Sequence, residues 1–159
     1  MIEVIVEAKA WRLAEPKARA LAKAAAAATL AAEARPKGEH LVVLLADDAR
    51  LKALNAAFRG KDAPTNVLSF PSGAAGSLGD IALALGVCAR EAAEQGKTLA
   101  EHLQHLTAHG VLHLLGYDHE TDAQAEAMEA RERAILASLG VADPYAPRGD
   151  QGDHGRHDP

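Results

Sequence analysis

The chain has one cysteine, Cys88, among its 159 residues, so no intramolecular disulfide can form and a thiolate-rich metal site of the zinc-finger kind is excluded. That usage points to a reducing cytosol. Aromatics are almost as scarce: Trp11, Phe58, Phe70, Tyr117 and Tyr145 make up 3% of the chain, too few for the base-stacking platform of a single-strand-binding module. No stretch approaches the roughly 18 uninterrupted apolar residues of a membrane-spanning helix. The N-terminus, MIEVIVEAKAW, places Glu3 and Glu7 in its apolar stretch and lacks the basic start of a signal peptide. The expectation is a soluble, unexported, cytoplasmic protein with no membrane partner.

Net positive charge is also missing, at −5 overall, which argues against DNA and, at first sight, against any phosphate-rich partner. The average hides an asymmetry. Residues 1–61 hold 11 Lys and Arg against 7 Asp and Glu, whereas residues 62–159 hold 6 against 15. The first segment could present a local phosphate-binding face, although scattered basic side chains are also what an ordinary solvated surface carries.

What is present is an ordinary globular composition, 48% hydrophobic and 25% charged, at a length that closes one core without staples. Residues 1–145 read as a single domain. The stretch 146–159 is rich in Pro, Gly, Asp, Arg and His and is expected to be a disordered polar tail, with its His154 and His157 outside any site.

Ile2, Val4 and Val6 alternate with Glu3, Ile5 and Glu7 as in a strand. A helix is expected from Pro16, as its first residue, to Ala34, ended by Pro36, Lys37 and Gly38. The nearly all-apolar 39–46 reads as a buried central strand, followed by a helix over 49–58 capped by Asp47 or Asp48. Residues 65–70 should be extended, 73–77 a flexible turn and 80–84 another strand. Helices follow over 87–95, over 99–115 with Thr98 as N-cap, and over 122–139 after Thr121. The fold class expected is α+β: a small mixed sheet of about four strands packed against helices.

His109 and His113 lie four residues apart within the 99–115 helix, so their rings share one face and can converge on one ion. Gly116 suits the left-handed conformation that ends a helix, which lets His119 swing back to the same point. Three neutral nitrogen ligands leave a tetrahedral zinc one open position for water, the pattern of a hydrolytic site. The spacing HxxxHxxGxxH is shared with metzincin peptidases, but those need a Glu after the first His as general base, and here that residue is Gly110. His102 and His105 lie on the same side of the helix, where a supporting or surface role is expected for them.

The element HGVLHLLGYDH, residues 109–119, resembles the signature of the YbeY family of bacterial ribosomal RNA maturation factors. LNAAFRGKDAPTNVLSFP at 54–71 and LGDIALA at 78–84 are similar to that family's other segments, so the resemblance covers most of residues 40–120. It implies a zincin-like metal helix and a zinc-dependent endoribonuclease specific for single strands, with one zinc on His109, His113 and His119 and a functional arginine at Arg59. It further implies maturation of the 3′ end of small-subunit ribosomal RNA, a role in ribosome quality control, and precursor rRNA and ribosomal proteins as partners. Asn66 departs from an Asp common in the family and is read as a turn or backbone-bonding residue. Two other readings stay open: a non-catalytic ribosome-assembly factor with a structural zinc, which a fourth ligand such as Asp118 would favour, and a peptidase served by a glutamate from elsewhere.

Overall fold

The computed structural model describes residues 1–36 and 38–146. Apart from Ala146, the expected tail, with His154 and His157, lies outside the described residues. In chain order the elements are β1 (Ile2–Val6), α1 (Ala10–Ala14), α2 (Ala18–Ala32), β2 (His40–Ala46), α3 (Asp48–Arg59), β3 (Val67–Pro71), β4 (Ser77–Ala84), α4 (Leu85–Glu94), α5 (Leu99–Leu114) and α6 (Asp122–Ser138). The four strands form one mixed sheet in the order β1-β2-β4-β3, with β1 and β4 parallel to β2 and β3 antiparallel to β4. The α+β class read from the sequence is the class observed.

β2 and β4 occupy the middle of the sheet and must be apolar on both faces. On one face Leu41, Val43, Leu45, Ile81 and Leu83 meet Ala22 and Ala26 of α2 and Leu103, Leu106 and Val111 of α5. On the other, Ala46, Ala82 and Ala84 pack with Leu51 of α3. The alanines of α2 leave room for α5 to lie close by, so α5 becomes the central helix: every residue from 102 to 112 is buried. A helix buried on all sides has no solvated face for its polar groups, so each histidine in it must find a partner inside the protein.

Local chemistry sets most boundaries. Asp47 caps α3 by accepting from the Arg50 N–H at 2.8 Å, and Thr98 and Thr121 open α5 and α6 with reciprocal capping boxes to Glu101 and Gln124. Two expectations are corrected and one element is new. Pro16 is not the first residue of α2, which starts at Ala18 after a turn closed by Ala18 N–H to Glu15 C=O at 3.0 Å. The short α1 was not foreseen; Trp11 holds it down, fully buried and donating from Nε1 to the Ala46 carbonyl at 2.8 Å. β4 begins at Ser77 rather than residue 80, because Gly79 adopts φ +136° and carries the strand through a position that a side chain would block.

Candidate metal centre

The last turn of α5 closes with a Schellman motif: the Tyr117 N–H reaches the Leu112 carbonyl and the Gly116 N–H the His113 carbonyl, both at 3.1 Å, with Gly116 at φ +101°. This reversal brings His119 over the helix end. One ring nitrogen from each of His109, His113 and His119 comes within 4.8 Å of the other two. His109 Nε2 and His113 Nε2 are 3.1 Å apart. Two nitrogens each about 2.05 Å from a tetrahedral zinc stand roughly 3.3 Å from each other, so the pair is spaced for a shared ion.

The protonation pattern fits the same purpose. His109 Nδ1 lies 2.7 Å from Glu132 Oε2, and a carboxylate only accepts, so the proton sits on Nδ1 and the Nε2 lone pair faces the point where the three rings meet. Burial, reinforced by His109 and His119, holds the His113 ring down at about 4, so it is neutral at neutral pH as a ligand must be. The donor set therefore suits a divalent ion of the zinc kind.

Behind the three rings is a buried polar chain. Glu132 of α6, 0% exposed, takes His109 on one oxygen and His105 Nε2 on the other at 2.7 Å, with the Tyr145 hydroxyl donating to the same oxygen as His105. Burial alone would raise the Glu132 carboxyl, but the hydrogen bonds and charge of His105 and His109 outweigh it and hold the group well below the usual carboxylate range. Lys97 Nζ lies 3.3 Å from His105 Nδ1 and 3.4 Å from His102 Nδ1; an ammonium only donates, so both rings accept there and donate from Nε2. His102 donates from Nε2 to the Glu91 carboxylate at 2.8 Å, and Glu91 also accepts from the Asn66 amide at 3.1 Å. Burial keeps His105 down at about 4 and lowers His102, so both rings are neutral.

Arg59, the last residue of α3, donates from Nη2 to the Ser69 carbonyl at 2.8 Å. Ser69 in turn donates from Oγ to the Gly110 carbonyl at 2.9 Å, which ties β3 to α5 beside His109. Arg59, Asn66, Ser69 and the three histidines line one cleft of about 260 Å³. All four candidate residues are thus brought to a single opening.

Two features bear on the other readings. Among the described residues no fourth side chain joins the three histidines, and the Asp118 carboxylate accepts from the His119 N–H at 2.8 Å. A Cβ at Gly110 would meet Val67 and Ile81 side chains at 3.2 and 3.3 Å, so a residue there would press on the sheet. Glu132, which bonds directly to one of the three rings, sits on the Nδ1 side of His109, away from the ligand point. Asn66 is a fastener: its Oδ1 accepts from Val67 N–H at 2.7 Å while its amide reaches Glu91 on α4. Sequence reasoning missed Glu132, Tyr145, Lys97 and Glu91. Only the spacing of His102, His105 and His109 along one helix side hinted that something must face them.

The family model described as Endoribonuclease YbeY matches residues 4–140. Among curated relatives named Endoribonuclease YbeY, one from Rhodopseudomonas palustris is 49% identical over 91% of this chain and 80% of its own length. One from Paramagnetospirillum magneticum is 50% identical over 91% and 94%, and one from Cereibacter sphaeroides 48% identical over 91% and 98%. A solution structure of a Thermotoga maritima protein aligns with a TM-score of 0.57 at 26% identity, covering 97% of this chain and all of that one.

Proposed function

Since the chain belongs to the endoribonuclease YbeY family, we propose that it is a zinc-dependent endoribonuclease of ribosomal RNA processing that cuts single-stranded RNA. Its site is formed by His109, His113 and His119 as ligands of one zinc and by Arg59 as the catalytic arginine. The observation that carries this reading is the convergence of three imidazoles in a cleft whose wall presents a guanidinium, with no fourth protein ligand among the described residues. The RNA acted on is precursor small-subunit ribosomal RNA near its 3′ end, met on or beside the ribosome in the cytoplasm, consistent with a role in ribosome quality control. No described helix is long and apolar enough to cross a membrane.

Bound there, zinc supplies Lewis-acid polarisation of a phosphoryl oxygen and a water of lowered pKa. The protein's own groups do the rest. Glu132 holds His109 in the tautomer that offers Nε2. One N–H of Arg59 is anchored on Ser69, which sets the direction of the guanidinium and leaves its remaining donors for a phosphate. A planar fork of this kind grips two phosphate oxygens at once and offsets charge that accumulates on them during cleavage, which a lysine ammonium does less well.

The test is cleavage of end-labelled RNA containing paired and unpaired regions by the zinc-loaded chain and its His113→Ala and Arg59→Ala variants at equal folded concentration. Cuts confined to unpaired regions and lost in both variants are expected. Equal cutting by all three proteins would refute the assignment of this site, and no cutting by any would turn the reading toward a non-catalytic assembly factor.

A further inference from the structure

Resting on the endoribonuclease reading, we propose that Phe58 is a base-stacking subsite that holds an unpaired nucleobase next to the phosphate gripped by Arg59. Trp11 is buried with its N–H bonded, and Tyr117 and Tyr145 spend their hydroxyls on Glu33 and Glu132. Phe58 is different: it is 68% exposed at the end of α3, immediately before Arg59. Its ring rests edge-on against Phe70, centroids 5.4 Å apart at 64°, so its orientation is supported from below while most of its surface meets solvent.

Phe70 stands between Ser69 and Pro71, both of which line the cleft, and Ser69 also receives the Arg59 guanidinium. The aromatic pair is therefore built onto the same strand segment as the cleft wall. Among the described residues the other exposed large apolar side chains are Met1, Ile5 and Leu13, just before β1, within it and in α1, and β1 is the edge strand opposite β3. An apolar π-face beside a phosphate-binding cation matches one nucleotide of a strand, with the backbone on Arg59 and the base on Phe58. A base already stacked in a duplex cannot offer its face, so the subsite also selects for single strands.

The experiment compares the zinc-loaded full chain with Phe58→Ala, Phe58→Leu and Phe58→Trp on an unstructured oligoribonucleotide, with thermal melts to verify folding. Stacking is lost in the first two and kept in the third. KM should rise about 5- to 150-fold for Ala and Leu with kcat nearly unchanged, and stay near wild type for Trp. In a matching set of RNAs, each lacking the base of one nucleotide, one position near the cut should weaken the wild type by a similar factor and leave Phe58→Ala no worse. A leucine variant equal to wild type, or base-removal penalties that persist undiminished in Phe58→Ala, would overturn the subsite while leaving the nuclease intact. A zinc-loaded wild type that cuts no RNA would overturn the endoribonuclease reading itself, and the subsite with it.

Discussion

Glu132 commits its two oxygens to different rings, one to His105 and one to His109, so its charge and its shape are both in use. In Glu132→Gln the side chain keeps its outline but one acceptor becomes an NH2 donor, which must face a ring N–H. Whichever way the amide turns, one histidine has to change tautomer; if it is His109, Nε2 becomes protonated and ceases to be a ligand. Zinc affinity should fall about 10- to 100-fold, measured by competition with a chromophoric chelator. Unchanged affinity together with a lowered melting point of the metal-free protein would show that Glu132 only supports the fold. The same residue shows what could be read in the chain beforehand. His109, His113 and His119 span eleven positions, and helix geometry plus one glycine turn suffice to bring them together. Glu132 of α6 and Tyr145 of the segment after it reach His105 from 27 and 40 residues away, a tertiary arrangement that no local pattern encodes.

Among the elements, the strands and the long helices were legible because hydrophobic alternation, capping residues and glycine stops are local. The short α1 was not, since five residues without a side-chain cap leave no periodic signal and the helix is held by burial of Trp11. Nor was the early start of β4, which depends on a backbone close approach. At Gly79 a Cβ would lie 2.2 Å from the Phe70 carbonyl oxygen, a backbone atom that cannot swing aside, at a φ of +136°. Gly79→Ala should therefore cost about 2–3 kcal/mol or more and shift β3, the strand that forms the cleft wall. Gly73→Ala, at φ +74° with nothing within 4 Å, should cost only the left-handed strain of about 1 kcal/mol. Chemical denaturation of both variants checks the contrast; equal losses would mean that the close approach at Gly79 is relieved by movement of the strands.

For the whole molecule, the proposed ligands come from α5 and from the segment beyond it, so metal binding at this site would be linked to folding. Zinc at about 100 times its dissociation constant should add roughly 2.7 kcal/mol, or about 5–10 °C in melting temperature for a domain of this size. His119→Ala, which alters an exposed ring, should melt like the wild type without metal and lose that increment. Acid acts through the buried polar chain. His105, facing Glu132, Tyr145 and Lys97, is held at about 4 by burial, and His102, facing Glu91 and Lys97, is lowered from its ordinary 6.5 for the same reason. Between their folded values and 6.5 the unfolded chain takes up protons that the folded chain refuses. Stability is thus fully present above about 6.5 and declines as pH falls toward about 4. Glu91 and Glu132 are lowered in the fold and extend the loss to still lower pH, as their carboxylates become protonated. Melting temperatures of the chelator-treated protein from neutral to mildly acidic pH should trace this decline, to which His113, also held at about 4, adds, with a shallower slope in His102→Gln, which removes one of the three lowered rings. A flat profile in the wild type, or an unchanged slope in the variant, would mean that these histidines carry protons in the folded protein, and that Lys97 is not the group donating to both.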